Sequence, residues 1–149
     1  MKIKIKDPIY HAEIYLFMSS YEEFEKYLKK YDANYKDDTD HYHLGKAVQA
    51  YITKNGWRTR HYYLWLRSFD FYDSDWQTLV LEIIHIALRV FDMKGIEIVK
   101  DLSNEPLCYY VDYLLSQFLH AINKANNQPL KPCQPAMDYM KENLKIKKI

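Results

Sequence analysis

The stretch KAVQAYITKNGWRTRHYYLWLRSF, residues 46–69, decides the fold because it contains two strands and the turn between them. KAVQAYIT (46–53) and RTRHYYLWLRSF (58–69) carry the β-branched and aromatic residues that are typical of strands. Asn55 and Gly56 lie between them, and an Asn-Gly pair is the strongest short signal for a β-hairpin. These residues predict an antiparallel hairpin near the middle of the chain.

The residues before this hairpin predict a strand followed by a helix. PIYHAEIYLFM, residues 8–18, is apolar, aromatic and β-branched, which is typical of a strand. YEEFEKYLKKY, residues 21–31, repeats Tyr, Phe and Leu at helical spacing, with acidic residues early and lysines late. Ser19 and Ser20 precede this helix and can cap its first turn.

Two further helices are predicted after the hairpin. DSDWQTLVLEIIHIALRVFDMKG, residues 73–95, is apolar nearly all round, which predicts a helix buried at the centre of the fold. PLCYYVDYLLSQFLHAINKA, residues 106–125, predicts a second long helix that begins at a proline. The element order β-α-β-β-α-α indicates an α+β fold, in which a small antiparallel or mixed sheet packs on the central helix and the second long helix.

Length and composition indicate one domain with a tail. The chain has 149 residues, 48% of them hydrophobic, which suffices for a single core. We place the domain at residues 1–124. Residues 125–149 are predicted to form a proline-containing linker and a short basic amphipathic helix, AMDYMKENLKIKKI.

Charge and cysteine content exclude several classes of function. Twenty-one Lys and Arg against 20 Asp and Glu leave a net charge of +1, so no overall field attracts nucleic acid or an acidic membrane. No apolar run is long enough to cross a bilayer, and the N-terminus lacks the pattern of a signal peptide. Cys108 and Cys133 have neither CxxC nor zinc-finger spacing. We therefore expect a cytoplasmic protein with reduced thiols and no membrane partner.

The stretch QTLVLEIIH, residues 77–85, differs at one position from the zinc-binding pattern H-E-x-x-H. In that pattern two histidines one helical turn apart bind one metal ion, and the intervening glutamate acts on the bound water. Glu82 and His85 are present, but Leu81 stands at the first ligand position. Glu105, at the start of the next helix, is a candidate for a further ligand.

The surroundings of this stretch resemble a family of small phage-encoded, zincin-like proteins of the metallopeptidase type. The resemblance covers about residues 40–120 and rests on the strand Leu64-Trp65-Leu66, on Thr78, Leu79, Glu82 and His85, on the step Gly95-Ile96, and on Glu105, Tyr109, Tyr113 and Leu114. It implies a zincin-like single domain in which His85 and Glu105 would bind zinc and Glu82 would be the general base.

Leu81 is the departure from the family pattern. A leucine has no lone pair to offer, and two protein ligands seldom hold a catalytic zinc ion. His61 lies on the strand predicted to run beside the helix and is the best candidate for a substitute ligand. The other candidates are His11, His41 and His43.

The missing ligand leads us to expect a pseudoenzyme without a cofactor. Such a scaffold would act by binding a protein, which could belong to the host, to a defence system or to the virion. The alternative is an active zinc-dependent hydrolase, a peptidase, with Glu82 as its general base.

The abundance of tyrosine favours a protein-binding surface, because the ring combines apolar area with a polar tip. Fifteen of the residues are tyrosine. The candidate partner-binding residues are Tyr62, Tyr63, Trp65, Tyr109 and Tyr113.

Basic and aromatic residues alternate in WRTRHYYLWLR, residues 57–67, and this pattern suggests a second alternative. Lys54, Arg58, Arg60 and the aromatic strand could bind single-stranded nucleic acid. The neutral overall charge favours instead a half-buried strand with a solvated basic face. In the zincin-like interpretation, the same strand would form the sheet edge along which a substrate peptide adds as another strand.

Overall fold

The computed structural model describes residues 1–32, 35, 45–70, 75–98 and 104–126. The described residues form four strands and three helices: β1 (Lys2–Ile5), β2 (Glu13–Met18), α1 (Tyr21–Tyr31), β3 (Gly45–Lys54), β4 (Trp57–Leu66), α2 (Asp75–Met93) and α3 (Glu105–Ala125). The predicted α+β class is confirmed.

The strands form one mixed sheet in the order β1-β2-β4-β3. β1 and β2 are antiparallel, β2 and β4 are parallel, and β3 and β4 form the predicted antiparallel hairpin. Asn55 and Gly56 both have positive φ, 52° and 79°, as a two-residue type I′ hairpin turn requires. Since β4 lies between β2 and β3, the expectation that β4 forms a free edge for a substrate peptide is wrong. The parallel β2–β4 pairing occupies the side that a peptide would need.

The predicted strand at residues 8–18 begins only at Glu13. The buried side chain of Asp7 accepts hydrogen bonds from the amides of Ile9, Tyr10 and Ala12, at 3.0–3.2 Å, and these bonds hold the preceding residues in a turn. β1 was not predicted, although the alternation of Lys and Ile in KIKI has the period of a strand.

The two faces of the sheet bury separate clusters of side chains. Alternate residues of a strand point to opposite faces. Tyr62, Leu64 and Leu66 of β4 pack with α2 and α3, while Tyr63 and Trp65 pack with α1. The helix α1 has the predicted bounds, and the Ser20 hydroxyl caps it by accepting the Glu23 amide at 3.3 Å.

The prediction that α2 is buried all round is wrong. Its buried side chains include Leu79, Ile83, Ala87 and Val90, which face the sheet and α3. On the outer side of the helix the side chain of Leu81 is 53% exposed. The helices α2 and α3 form a layer on one face of the sheet. The side of α2 that faces away from the sheet has no described element to pack against, so apolar residues on that side stay exposed.

The predicted tail lies outside the described residues, as do His41, His43 and Cys133. Cys108 is a free, exposed cysteine on α3. Within the described ranges, no helix is both long enough and apolar enough to cross a membrane.

Candidate functional site

The helices α2 and α3 are antiparallel, and this fixes the distance between the predicted metal ligands. The rings of Phe91 and Tyr110 stack with centroids 5.8 Å apart, near the end of α2 and the start of α3. At the opposite end, the Asn126 side-chain amide donates to the carbonyl of Phe69, at 3.1 Å, just before α2 begins.

His85 and Glu105 therefore lie on opposite sides of the Phe91–Tyr110 contact. His85 is six residues before Phe91, and Glu105 is five residues before Tyr110 on the antiparallel helix. At the helical rise per residue, the two are separated by about 16 Å along the axis. Both side chains are exposed. The structure does not bring the predicted second and third ligands together.

His61 cannot supply the missing ligand beside Leu81, because the sheet separates them. The side chain of His61 shares the face of β4 with Tyr63 and Trp65, which pack with α1. The helix α2 packs on the opposite face. The prediction of His61 as the substitute ligand is wrong. It assumed only that the strand runs beside the helix, and it did not consider which face of the strand the His61 side chain occupies.

Glu82, the predicted general base, is engaged in a structural contact. Its carboxylate accepts a hydrogen bond from the Ala47 amide at 2.7 Å. Arg89, two turns further along α2, donates to the Ala47 carbonyl at 3.0 Å. One residue of the edge strand β3 thus has both main-chain groups bonded to α2. The sequence contains no local signal for this pairing, since the partners are more than 30 residues apart.

A second carboxylate bonds to the same edge. The Asp32 side chain, at the end of α1, accepts the Tyr51 amide at 3.3 Å. Ala47 and Tyr51 are four residues apart, and in an antiparallel edge strand alternate residues direct their main-chain groups outward. Occupying these groups discourages the addition of another strand, which an open sheet edge otherwise invites. In the structure, Glu82 and Asp32 therefore protect the edge.

The predicted partner-binding residues fall into two groups. Tyr62, Tyr63 and Trp65 are at most 1% exposed, so they have no surface to present to a partner, and their assignment as contact residues is wrong. They are aromatic because they fill the core on both faces of the central strand. Tyr109 is 71% exposed on α3. Tyr113 is half-buried, and its hydroxyl donates to the Lys6 carbonyl at 2.8 Å.

The hairpin between β3 and β4 carries an exposed basic and aromatic surface. Trp57 is 80% exposed, directly after the turn. The guanidinium carbons of Arg58 and Arg60 lie 4.2 and 5.3 Å from the centre of the Tyr51 ring. Arg60 also donates to the Tyr51 hydroxyl at 2.9 Å. We call the set Tyr51, Lys54, Trp57, Arg58 and Arg60 the hairpin-tip patch.

A hydrogen-bonded network covers part of the sheet face on which α1 packs. Lys2 donates to the Tyr27 hydroxyl at 2.6 Å, Tyr27 and Tyr63 share a bond of 3.3 Å, and Nδ1 of His61 bonds Tyr63 at 3.2 Å. Tyr15 stacks on the His61 ring at 5.2 Å. We call this the sheet-face network.

The pKa shifts in the sheet-face network favour the neutral forms of its histidine and of its central tyrosine. Burial lowers the pKa of the His61 imidazole, with Glu13 opposing this shift and Lys2 and Lys4 adding to it. Burial and the hydrogen bond with Tyr27 raise the pKa of the Tyr63 phenol. Histidine and phenol are both neutral at pH 7 as a result, so the network contains no activated tyrosinate.

An open apolar groove lies on the outer side of α2. It has a volume of about 470 Å³ and is lined by Trp76, Gln77, Val80, Leu81 and Ile84. Leu81, which stands at the first histidine position of the H-E-x-x-H pattern, lies in this groove. None of the lining side chains carries a charge, so the surface suits an apolar occupant. We call it the α2 groove.

Known proteins do not provide an assignment for this arrangement. No protein-family model matches the chain, and the curated proteins and the solved structures show no match either. Within the described part of the chain, no group of three His, Cys, Asp or Glu side chains is close enough to hold a metal ion.

Proposed function

We propose that this protein acts without catalysis, by binding an acidic surface of another protein through the hairpin-tip patch. The observation that carries the proposal is an 80% exposed Trp57 that directly precedes Arg58 at the hairpin tip, with Arg58 and Arg60 ordered on the Tyr51 ring on the other face of the strand. Tryptophan, tyrosine and arginine are the residues that most often dominate the energy of protein interfaces. Arginines that are already held in place lose less side-chain entropy on binding.

The placement of the near-motif residues supports a non-catalytic function. A general base must be within reach of the water or substrate that it deprotonates. The Glu82 carboxylate is instead bonded to the Ala47 amide, and Glu105 lies about 16 Å from His85 along the helices. These contacts favour the inactive scaffold over the active peptidase.

A protein partner is favoured over single-stranded nucleic acid. Binding of a nucleic-acid strand uses several exposed rings on which successive bases stack. In this molecule Tyr62, Tyr63 and Trp65 are buried, so Trp57 is the one ring of β4 that is largely exposed. A single exposed ring at a hairpin tip that also carries two arginines suits an acidic protein surface better than an extended strand of bases.

The relationship of this protein to phage-encoded, zincin-like proteins is a prediction from the sequence. It fits a protein that works in the cytoplasm of an infected cell, where its partner would be a host protein, a defence component or a virion component. The retained Glu82 and His85 on one helix, followed by a helix that starts at Glu105, are what support it.

Selection from a random linear peptide library tests the proposed function and requires no identified partner. The wild-type protein should select acidic peptides that bind Trp57→Ala about 10-fold or more weakly, as expected for an interface hot spot. Tyr109→Ala removes a ring of similar exposure on α3 and should bind the same peptides unchanged. Peptides that bind Trp57→Ala and Arg58→Glu as tightly as wild type would contradict the proposal. Tight, salt-dependent binding of oligo-dT that falls in Arg58→Glu would support nucleic acid instead.

A further inference from the structure

The two edge strands of the sheet differ in what occupies their outer main-chain groups. In the order β1-β2-β4-β3 the edge strands are β3 and β1. Main-chain groups of β3 are bonded to side chains of α2 and to the carboxylate at the end of α1. Among the described residues, no strand pairs with the outer side of β1. An open edge of this kind is a template for the addition of another strand.

The outward main-chain groups of β1 belong to its lysines. Met1 and Met18 exchange two main-chain hydrogen bonds, at 2.6 and 2.8 Å, and this pair fixes the alternation along the β1–β2 ladder. In an antiparallel ladder, bonded pairs alternate with pairs whose main-chain groups point away from the partner strand. The amides and carbonyls of Lys2 and Lys4 therefore point away from β2, toward the open side of the strand.

The side chains of β1 differ between the two faces of the sheet. Lys2 and Lys4 are exposed on the face on which α1 packs, where the Lys2 ammonium donates to the Tyr27 hydroxyl. Ile3 and Ile5 lie on the other face and pack with the core cluster of α2 and α3. A strand added beside β1 would continue both faces, so it would need polar and apolar residues in alternation.

The charge of this edge determines which strand fits it. Lys2, Lys4 and Lys6 are all exposed, and among the described carboxylates only Glu13 forms an ion pair with one of them, at 2.8 Å from Lys4. Opposite charges on directly opposed residues stabilise strand pairing, and like charges destabilise it. A second copy of β1 would place lysine opposite lysine, because lysines carry the outward main-chain groups in both copies. The edge therefore fits a strand with a carboxylate opposite each lysine.

We propose that β1 binds an extended acidic segment of another protein, which adds to the sheet as a fifth strand antiparallel to β1. Its Asp or Glu residues lie opposite Lys2 and Lys4 and exchange main-chain hydrogen bonds with them, while the residues in between are apolar and lie beside Ile3. Antiparallel pairing is slightly more stable per residue than parallel pairing. In strand addition the main-chain bonds provide affinity and the alternate side chains provide specificity. This surface is separate from the hairpin-tip patch and does not depend on it.

A synthetic peptide, acetyl-Thr-Glu-Val-Glu-Val-Glu-Thr-amide, tests this surface on the full-length protein. In an NMR titration it should shift the backbone amides of Lys2 and Lys4. N-methylation of its glutamate amides removes the donors that face β1 and should weaken binding at least about 5-fold. N-methylation of its valine amides, which point away from β1 in antiparallel pairing, should leave the affinity unchanged.

Variants of the protein test the same bonds from the other side. Lys4→Pro removes an outward amide without removing a β1–β2 hydrogen bond, and edge strands accept proline at such positions. It should weaken peptide binding at least about 5-fold, whereas Lys4→Arg keeps the amide and the charge and should bind as wild type. Trp57→Ala should also bind this peptide as wild type. Peptides that lose affinity in Trp57→Ala thus belong to the hairpin-tip patch, and those that lose it in Lys4→Pro belong to β1.

Several results would overturn the proposal. One is the absence of shifts at Lys2 and Lys4 in millimolar peptide. Another is equal affinity of the parent peptide and its glutamate-methylated form, which is measured on the unaltered protein and so does not depend on the folding of Lys4→Pro. Shifts confined to the hairpin-tip patch would assign acidic peptides to that patch alone. A doubled mass in light scattering that Lys4→Pro abolishes would identify a second copy as the occupant of the edge.

Discussion

The Glu82 carboxylate and the Ala47 amide are joined by a hydrogen bond of 2.7 Å that ties α2 to the edge of the sheet. The glutamate of the near-motif is thus a structural residue. Together with the bonds of Arg89 to the Ala47 carbonyl and of Asp32 to the Tyr51 amide, this contact occupies main-chain groups of the edge strand that could otherwise pair with another chain.

Replacing Glu82 should destabilise the fold. In Glu82→Ala the partly buried Ala47 amide loses its acceptor, which should lower the free energy of unfolding by about 1–3 kcal/mol. Glu82→Gln keeps an acceptor oxygen and should cost less. Denaturant unfolding measures both, with the exposed Glu97→Ala as the control. Equal stability of Glu82→Ala and wild type would show that the contact does not contribute.

Introducing a histidine at position 81 should not create a zinc site. In Leu81→His the helix would present two imidazoles one turn apart, but Glu105 would remain about 16 Å away along the axis. Two exposed ligands bind zinc only weakly. We expect both wild type and the variant, purified without chelator and dialysed, to contain much less than one zinc per chain by elemental analysis.

A zinc content of one per chain in either protein would support the zincin-like interpretation. One zinc per chain in Leu81→His, lost again when Glu105→Ala is added, would mean that Glu105 reaches the helix and that the inherited scaffold lacks only one ligand. Stoichiometric zinc in wild type that disappears in His85→Ala would contradict the inactive scaffold itself.

The buried contact between Tyr110 and Asp7 should be an important link between α3 and the N-terminal turn. The Tyr110 hydroxyl donates to the Asp7 carboxylate at 2.9 Å, and the same oxygen accepts the Ala12 amide at 3.0 Å. Tyr110→Phe should lower the free energy of unfolding by about 1–2 kcal/mol. Tyr109→Phe, at the exposed neighbouring position, should leave the midpoint of urea unfolding unchanged, and an equal loss in both would argue against a specific role for the Asp7 bond.

The stability of the protein should fall as the solution is acidified below neutrality. Burial lowers the pKa of His61 in the folded protein, so protonation favours the unfolded chain. The contribution is complete above the unfolded value of about 6.5 and is lost as the pH falls from there through the folded-state pKa. Thermal unfolding between pH 7.5 and about 5 should show this loss in wild type and a weaker dependence in His61→Gln. An identical pH dependence in both proteins would contradict it.

The local parts of the fold were predicted because short stretches specify them. Asn55 and Gly56 accept the positive φ angles of a tight turn, so the hairpin follows from two residues. Ser20, the acidic first turn and the late lysines define α1, and its predicted and observed bounds agree. Where a local hydrogen bond competes, the prediction failed: Asp7 holds a turn in residues that are otherwise typical of a strand.

By itself, the sequence determined the types of all the described elements except β1, the hairpin and the α+β class, because these depend on backbone preferences and on the spacing of apolar residues over a few turns. Only the tertiary structure decided that β4 is central, that His61 and α2 lie on opposite faces of the sheet, and that Leu81 faces outward. It also decided that Glu82 bonds to Ala47, 35 residues away. Such relationships depend on how segments that are distant in the sequence pack against each other. The spacing of apolar residues along one helix or strand does not show which other element will cover each of its sides.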